Sequence, residues 1–418
     1  MEQEFQTRRS KHTLKLLKDA VNLLDGQNLE VDTETLAVLI KSCTNADSLP
    51  AGQFVHQHIL TNGYEGDTYL CNFLMEMYGK CGDIEEARFI FDDCIYEPNV
   101  FSWTIIISAY IHHRKFDEAR DLFREMQVNG VKPNTFTFST ILATCLNPAH
   151  GEEGEQIHAA AILNGLDVDV VVGTSLINMY GKCKTKEDAL FVFEKIQHRD
   201  PAAWNAIISA HISLGKSEKA VSLFFRMQKE GVQPNQFVFT CTLKACSIMS
   251  SLWLGKLLHH QIVLEAMETH VTVGNALLDV YSKCGDISGA RNVFDRLPDR
   301  DVISWGSMAM GFSQHGFDHA AVELYEDMEK EGAIPNRAIF LHIVKACGNI
   351  GALGRGRLIH VQIIKNGLQT DPLIASTLVD MYANCGNLED LEKVFHGLLT
   401  RDIISWGALI EGYAENGN

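Results

Sequence analysis

The residues with the greatest potential for metal chemistry are histidines, cysteines and acids that lie close together in the chain. His150-Gly151-Glu152 has the spacing in which a histidine binds zinc while a glutamate moves protons. Such sites also need paired cysteines, and no C-x-x-C occurs among the eleven cysteines. The histidine pairs at 112–113 and 259–260 have no cysteine or acid at metal-binding spacing. We therefore expect no metal site, no cofactor and no catalytic residue.

Cysteines and histidines recur at fixed intervals instead. Cys246 and His259 return 101 residues later as Cys347 and His360. A thiolate–imidazole nucleophile is needed once in an enzyme and not in successive copies. The recurrence predicts buried free thiols in a reducing compartment. The cysteines in question are Cys43, Cys145, Cys246 and Cys347, and Cys81, Cys183, Cys284 and Cys385.

Four tryptophans give the period of the whole chain. Trp103, Trp204, Trp305 and Trp406 are each 101 residues apart. Markers upstream of Trp103 are 102 residues from their next copies, so we predict one extra residue between Phe91 and Trp103. Such self-similarity is typical of solenoids, in which neighbouring repeats supply the core.

Each period contains smaller helix pairs. Trp103, Ile106, Ile107 and Tyr110 have helical spacing, and a second helix carries Ala119, Leu122, Phe123 and Met126. Asp117 and Glu118 favour the beginning of that second helix, and Gly130 and Pro133 favour its end. This helix–turn–helix pattern recurs in repeats of 35, 35 and 31 residues.

We predict an all-α fold, a right-handed superhelical solenoid of antiparallel helix–turn–helix repeats. Eleven repeats extend from Thr33 to Asp402, and a partial repeat occupies 403–418. Residues 1–32 are a degenerate N-terminal repeat or cap, with a second helix at 12–25. The last helix, with Trp406 and Ile410, has no following helix to cover it, so we expect a truncated chain.

The charge and hydropathy of the chain bear on three properties: RNA binding, membrane contact and targeting to an organelle. The net charge is −17, from 36 basic and 53 acidic residues. No apolar run reaches membrane length, so we expect no membrane contact. Glu2 and Glu4 are acidic, whereas an ordinary transit peptide contains few acidic residues.

The repeat lengths and motifs resemble the plant-type pentatricopeptide repeat family, subclass PLS, over roughly residues 33–418. The resemblance is specific in Asn275-Ala276-Leu277-Leu278-Asp279-Val280-Tyr281-Ser282-Lys283-Cys284-Gly285 and in Gly255-Lys256-Leu257-Leu258-His259. The P-like repeats are Val100–Asn134, Pro201–Asn235 and Val302–Asn336. Long repeats include 135–169, 236–270 and 337–371, and short repeats include 170–200, 271–301 and 372–402. Lys184 departs from the family pattern, in which Gly would be expected.

The resemblance implies binding of single-stranded RNA at one base per repeat, in a mitochondrion or chloroplast. It also implies RNA editing or another form of RNA processing, with a deaminase supplied by a missing C-terminus or in trans, and we expect a monomer. The base-reading residues are the fifth and the last of each repeat. These pairs are Asn72 with Asn99, Thr104 with Asn134, Thr174 with Asp200, Asn205 with Asn235, Asn275 with Asp301, Gly306 with Asn336, and Ser376 with Asp402.

Hydrogen-bonding chemistry supports the assignment of bases. A final Asp only accepts and suits guanine, whereas a final Asn can donate and suits adenine. The pairs with a fifth Asn suggest pyrimidines, and Asn275 with Asp301 suggests U. Long repeats and Gly306 are treated as unspecific; the long-repeat pairs are Ala37 with Asp67, Ser139 with Asp169, Thr240 with His270, and Leu341 with Asp371. The expected target is 5′-Y-A-n-G-Y-n-U-n-n-G-3′.

Three alternative interpretations remain at this point. The final Asn or Asp residues also suit a purely structural role as helix caps. The net charge opposes RNA binding unless basic side chains line the binding groove and acids lie elsewhere. A tetratricopeptide-like scaffold for proteins is the main rival, although its repeats are uniformly 34 residues long.

Overall fold

The computed structural model describes residues 31–183, 186–397 and 403–415. The predicted helix at 12–25, Lys184 and the reading residue Asp402 lie outside these residues. Within them the chain is helical and contains no strand. It forms two compact units, which meet in sequence at Leu214 and Gly215.

Each repeat begins with a helix that we call its first helix. These are α1 (Thr33–Asn45), α3 (Thr68–Cys81), α5 (Val100–His112), α7 (Thr135–Leu142), α9 (Val170–Cys183), α11 (Pro201–Ser213), α13 (Gln236–Ile248), α15 (Val271–Lys283), α17 (Val302–Gln314), α19 (Arg337–Asn349), α21 (Pro372–Asn384) and α23 (Ile403–Glu415). A short 3₁₀ turn, Ala143–Cys145, extends α7.

A second helix follows each of the first helices α1 to α21 after a short turn. These are α2 (Leu49–Thr61), α4 (Ile84–Phe89), α6 (Phe116–Val128), α8 (Gly151–Leu163), α10 (Lys186–Lys195), α12 (Ser217–Lys229), α14 (Leu252–Leu264), α16 (Ile287–Arg296), α18 (Asp318–Lys330), α20 (Leu353–Lys365) and α22 (Leu388–Gly397). A 3₁₀ turn, Pro148–His150, precedes α8.

The first helices form one continuous row in each compact unit. In the first unit α1, α3, α5, α7, α9 and α11 contact one another in that order. In the second unit α13, α15, α17, α19, α21 and α23 do the same. The second helices pack against these rows, which confirms the prediction of an all-α solenoid of helix pairs.

Local sequence explains where the helices end. The second helix α6 begins one residue before Asp117 and Glu118, where acidic side chains favour a helix N-terminus. It ends at Val128, and Gly130 then adopts a φ of 74°, a left-handed conformation that glycine tolerates best.

Helix length accounts for the short repeats. Their second helices α10, α16 and α22 contain 10 residues, whereas α6, α12 and α18 contain 13. The 31-residue repeats therefore lose most of one helical turn from the second helix and keep a full first helix.

A π-helical turn, Ile90–Cys94, absorbs the extra residue predicted between Phe91 and Trp103. Such a turn holds one residue more than an α-helical turn. Ile95 consequently reaches a buried position four residues after Phe91, whereas Ile196 is buried three residues after Phe193. The insertion changes the local helix type and leaves the core contact in place.

The recurring aromatic residues are core residues, as predicted for the tryptophans. Trp103, Trp204 and Trp305 are buried, and each meets a phenylalanine of the preceding second helix edge to face. Trp406 makes the same contact with Phe395 but is 47% exposed. Recurring histidine–tyrosine hydrogen bonds also join neighbouring repeats: His56–Tyr78, His158–Tyr180, His259–Tyr281 and His360–Tyr382.

The cysteines are free thiols, as expected, but only one of the two recurring sets is fully buried. Cys43, Cys145, Cys246 and Cys347 are buried, whereas Cys81, Cys183, Cys284 and Cys385 are half-buried. Burial raises the pKa of Cys246 and of Cys347 to about 12, so these thiols stay protonated at neutral pH.

Candidate nucleic-acid interface

The last residue of a repeat caps the first helix of the next repeat. The Asn99 side chain accepts hydrogen bonds from the backbone N–H groups of Phe101 and Ser102. The same capping is made by Asn134, Asp200, Asn235, Asp301 and Asn336. The predicted capping contact is therefore present at each of these final residues that the structure describes.

Capping uses only one of the two polar atoms in each terminal group. At Asn134 the amide oxygen accepts from the Thr137 N–H at 2.9 Å and from its hydroxyl at 3.0 Å. At Asp200 one carboxylate oxygen accepts from the Ala203 N–H at 2.8 Å. The second atom is a donating nitrogen in Asn and an accepting oxygen in Asp. A capping residue thus keeps free of the cap the atom that distinguishes Asn from Asp, a donating nitrogen or an accepting oxygen.

Thr104 and Asn134 line a common cavity in the first compact unit. The cavity has a volume of about 400 Å³ and lies between the exposed rings of Phe101 and Phe136. The Thr104 hydroxyl lies 2.8 Å from the Thr137 hydroxyl, which in turn bonds to Asn134. Residues 30 apart in sequence therefore meet at one polar site.

Asn275 and Asp301 bond to each other directly in the second compact unit. The Asn275 amide nitrogen donates to both carboxylate oxygens, at 3.0 and 3.2 Å. The Ser304 hydroxyl donates to the Asn275 amide oxygen at 2.6 Å. Burial alone would raise the pKa of Asp301, but hydrogen bonds from Ser304, Asn275 and Ile303 outweigh it and hold the pKa below its usual value.

Other fifth residues lack such partners. The amide oxygens of Asn72 and Asn205 and the hydroxyl of Thr174 are covered and have no hydrogen-bond partner in the described part of the chain. An unsatisfied polar atom at this depth costs about 1–3 kcal/mol. The three side chains as a whole are half-buried, so part of each faces solvent.

Two fifth positions offer little to a base in this structure. Ser376 is buried, and its hydroxyl donates to the Pro372 carbonyl of its own helix. Gly306 has no side chain, but a Cβ built there would meet only the Ile339 Cγ1 at 3.7 Å. This is an ordinary contact, so the position has room for a side chain.

Residues at the second position of the first helices were not identified from the sequence. In seven of the first helices this residue is large, apolar and exposed, although most apolar residues of these helices are buried: Tyr69, Phe101, Phe136, Val171, Phe237, Ile303 and Leu373. Each precedes the fifth residue by three positions, so the two share one helix face. Nucleobases stack on such side chains. A recurring apolar residue beside a polar one was the available signal.

We call the surface formed by the second, fifth and ninth residues of the first helices the reading face. The described first helices contain nearly equal numbers of bases and acids. The bases are Lys41, Lys80, Lys182, Lys244, Lys283, Arg337 and Lys345, and the acids are Glu34, Glu76, Asp279, Asp380, Glu411 and Glu415. The chain's excess of 17 negative charges therefore comes mainly from elsewhere. On the reading face of the described first helices, however, three bases stand against five acids: Lys41, Lys244 and Lys345, and Glu34, Glu76, Asp279, Asp380 and Glu411.

The histidines considered for metal chemistry have structural contacts. His113 bonds to the Gly79 carbonyl, and His150 lies 3.7 Å from the Glu153 carboxylate. Among the described residues no group of three or more His, Cys, Asp or Glu side chains is arranged to hold a metal ion. The described helices also include none with the length and apolar character needed to cross a membrane.

Comparison with known sequences gives the class of this helical repeat protein. The PPR repeat family model matches residues 98–147 and 199–247, and the PPR repeat model matches 69–97, 174–200, 275–302 and 303–332. The chain belongs to the pentatricopeptide repeat family.

Two curated relatives come from Arabidopsis thaliana. A chloroplastic pentatricopeptide repeat-containing protein is 35% identical over 379 residues, which cover 91% of this chain and 61% of the relative. Another pentatricopeptide repeat-containing protein is 33% identical over 393 residues, which cover 93% of this chain and 47% of the relative. The chain thus spans about half the length of the curated relatives it matches.

Solved structures show the same fold. The pentatricopeptide repeat protein PPR10 from maize is similar with a TM-score of 0.70 at 17% identity, over 92% of this chain and 57% of that protein. PPR10 in complex with an 18-nucleotide psaJ RNA element gives a TM-score of 0.72 at 16% identity, over 96% of this chain and 64% of PPR10.

Proposed function

We propose that this chain binds single-stranded RNA in a sequence-dependent manner, with one base opposite each repeat. PPR10, which shares its fold, is an RNA-binding protein. The first helices of this chain place a polar fifth residue next to the capping residue of the following helix. Bases would stack on the apolar second residues and form hydrogen bonds with these polar pairs.

The observation that carries this proposal is the polar atom that capping itself leaves unused, as at Asn134 and Asp200. Capping fixes the Oδ1 of Asn134 and of Asp200 in the same way. What remains is a donor at Asn134, which suits N1 of adenine, and an acceptor at Asp200, which suits N1–H and N2–H of guanine. Capping and base reading are therefore compatible functions of one side chain.

We infer further that the chain is of the PLS subclass and acts in organellar RNA processing. Three repeat lengths, 35, 35 and 31 residues, support the subclass. Relatives named as chloroplastic and mitochondrial support an organelle. RNA editing would need a deaminase from elsewhere in the protein or in trans, because no catalytic group has been identified in the described residues.

Fluorescence anisotropy with two labelled RNAs tests the proposal. One RNA is 5′-CAUGCUUUUG-3′, which follows the expected target, and the other has every A and G exchanged. We expect at least about tenfold tighter binding of the first RNA, because each wrong base costs about 1–3 kcal/mol. Equal affinities would refute base reading. Absence of RNA binding under low-salt conditions would favour the scaffold alternative.

A further inference from the structure

The third residue of a repeat lies against the reading pair of the repeat before it. At three positions this residue carries a fully buried hydroxyl, Ser102, Thr137 and Ser304, and the last two contact both members of the preceding pair. Thr137 contacts both Thr104 and Asn134, at 2.8 and 3.0 Å. Ser304 contacts both Asn275 and Asp301, at 2.6 and 2.9 Å. In each case one hydroxyl joins the fifth residue to the last residue.

Asp301 and Ser304 together determine which way the Asn275 amide faces. A carboxylate only accepts hydrogen bonds, so the amide nitrogen must face Asp301. The amide oxygen then faces Ser304, whose hydroxyl can donate to it. A flip of the amide would place its oxygen against the Asp301 carboxylate, so that two acceptors face each other, and the Ser304 hydroxyl would then have to accept from the amide nitrogen and donate to Asp301 instead. The network therefore selects one orientation of the donor and the acceptor that a base meets.

We propose that the buried hydroxyl at the third residue is a positioning residue that sets how sharply the preceding pair discriminates between bases. This inference rests on the RNA-binding function proposed above. A fixed donor and acceptor reject a mismatched base strongly, because the mismatch leaves buried polar atoms unpaired. A side chain that can rotate recovers part of that loss and tolerates the wrong base.

The chain also contains positions at which this contact is missing. Ala203 is the third residue after the pair Thr174 and Asp200, and the Thr174 hydroxyl has no partner among the described residues. Ser102 is buried as deeply as Ser304 but bonds only to Asn99, at 3.3 Å, while the Asn72 amide oxygen remains without a partner. These positions supply a gain-of-contact variant and a matched control.

The test measures the ratio of affinities for RNAs that differ only at the base opposite Asn275 and Asp301, with U or C at that position. We expect Ser304→Ala to reduce the preference for U about three- to tenfold, the equivalent of one hydrogen bond. Ser304→Thr should keep the preference, because Thr137 fits in the same place in another repeat. Ser304→Ala leaves the backbone N–H groups that Asp301 caps unchanged.

Ser102→Ala is the control for a purely structural effect. It removes a hydroxyl at the same depth, so its melting temperature should fall as in Ser304→Ala, while base preference opposite Asn72 and Asn99 stays unchanged. Ala203→Ser should give the Thr174 hydroxyl a partner and increase the preference for G over A opposite Thr174 and Asp200.

The possible outcomes separate this inference from the proposed function. If the unmodified chain shows no base preference, the RNA-reading function fails. If the unmodified chain prefers U but Ser304→Ala prefers it equally, the positioning role is wrong and the function stands. Equal loss of preference in Ser102→Ala would also overturn the inference, and so would an unchanged preference in Ala203→Ser.

Discussion

Asn275 donates hydrogen bonds to both carboxylate oxygens of Asp301, although 26 residues separate the two in sequence. Asn275 lies in α15, and Asp301 caps α17, which packs next to α15. A helix cap and a helix-surface residue are thereby joined into one polar group. In this repeat the pairing of the fifth and last residues is thus a direct contact in the folded protein.

Capping and reading can be separated at Asp200 in the first compact unit. We expect Asp200→Ala to destabilise the protein by about 1 kcal/mol, because the Ala203 N–H loses its acceptor. Asp200→Asn keeps an oxygen in the cap and should change stability little. Thermal or chemical unfolding measures both values, and equal destabilisation by the two substitutions would show that the cap is not responsible.

A side chain at Gly306 should create a reading position where the chain now lacks one. A Cβ at this position meets only the Ile339 side chain, so Gly306→Thr fits without displacement of the backbone. With Asn336 as the final residue, the new pair matches Thr104 with Asn134. We predict that the variant acquires a preference for A opposite this repeat. Competition binding with A or U at that base checks it, and an unchanged ratio would contradict the prediction.

Much of the fold could be predicted from sequence because the same landmark residues recur in successive repeats. The tryptophan period gave the repeat length, and acids, glycines and prolines located the helix ends. The position of the extra residue was also predicted, but its accommodation by the π-helical turn Ile90–Cys94 was not. Counting residues between repeats shows that one is inserted. The backbone conformation that accommodates it cannot be counted, because it depends on whether Ile95 stays in the core.

The candidate site was less accessible to sequence reasoning. The reading pairs were named by family resemblance, and their direct contact at Asn275 and Asp301 became evident only in the structure. Ser304 and Thr137 were missed because a hydroxyl inside an apolar helix face gives no periodic signal. The exposed Phe101 and Phe136 were missed because hydrophobic periodicity alone assigns large apolar residues to the core.

Basic residues of the first helices should contribute affinity without specificity. Lys244 is exposed and lies one helical turn after Thr240, on the same face of α13. We expect Lys244→Ala to weaken binding of all RNAs about equally and to reduce the salt dependence by roughly one phosphate contact. Lys219→Ala, on the second helix α12, is the matched control and should have no effect. Titrations at several salt concentrations distinguish the two variants.

The buried histidines should make stability depend on pH below neutrality. Burial lowers the pKa of His56, His158, His259 and His360 below the ordinary value of 6.5. Their tyrosine partners stay protonated and donate, since burial raises the pKa of Tyr281 and Tyr382 to about 12.

Each of these histidines binds a proton more readily in the unfolded chain. Stability should therefore change little between about pH 7 and 8 and fall as the pH drops below 6.5, because protons then favour the unfolded state. Melting temperatures at pH 7.5 and 5.5 measure this difference. His259→Gln should remove roughly a fifth of it, since His342, whose pKa is also lowered by burial, contributes beside these four sites. A melting temperature that rises toward pH 5.5 would contradict this account.

The exchange of two final residues tests most directly the claim that the capping residues read bases. In the double variant Asn134→Asp and Asp200→Asn both side chains can still cap their helices, so stability should change little. The unmodified chain should prefer A opposite Thr104 and G opposite Thr174. We predict that the double variant prefers the RNA in which these two bases are exchanged, at least about tenfold over the original. If it retains the original preference, or binds both RNAs equally while remaining folded, the capping residues do not read RNA.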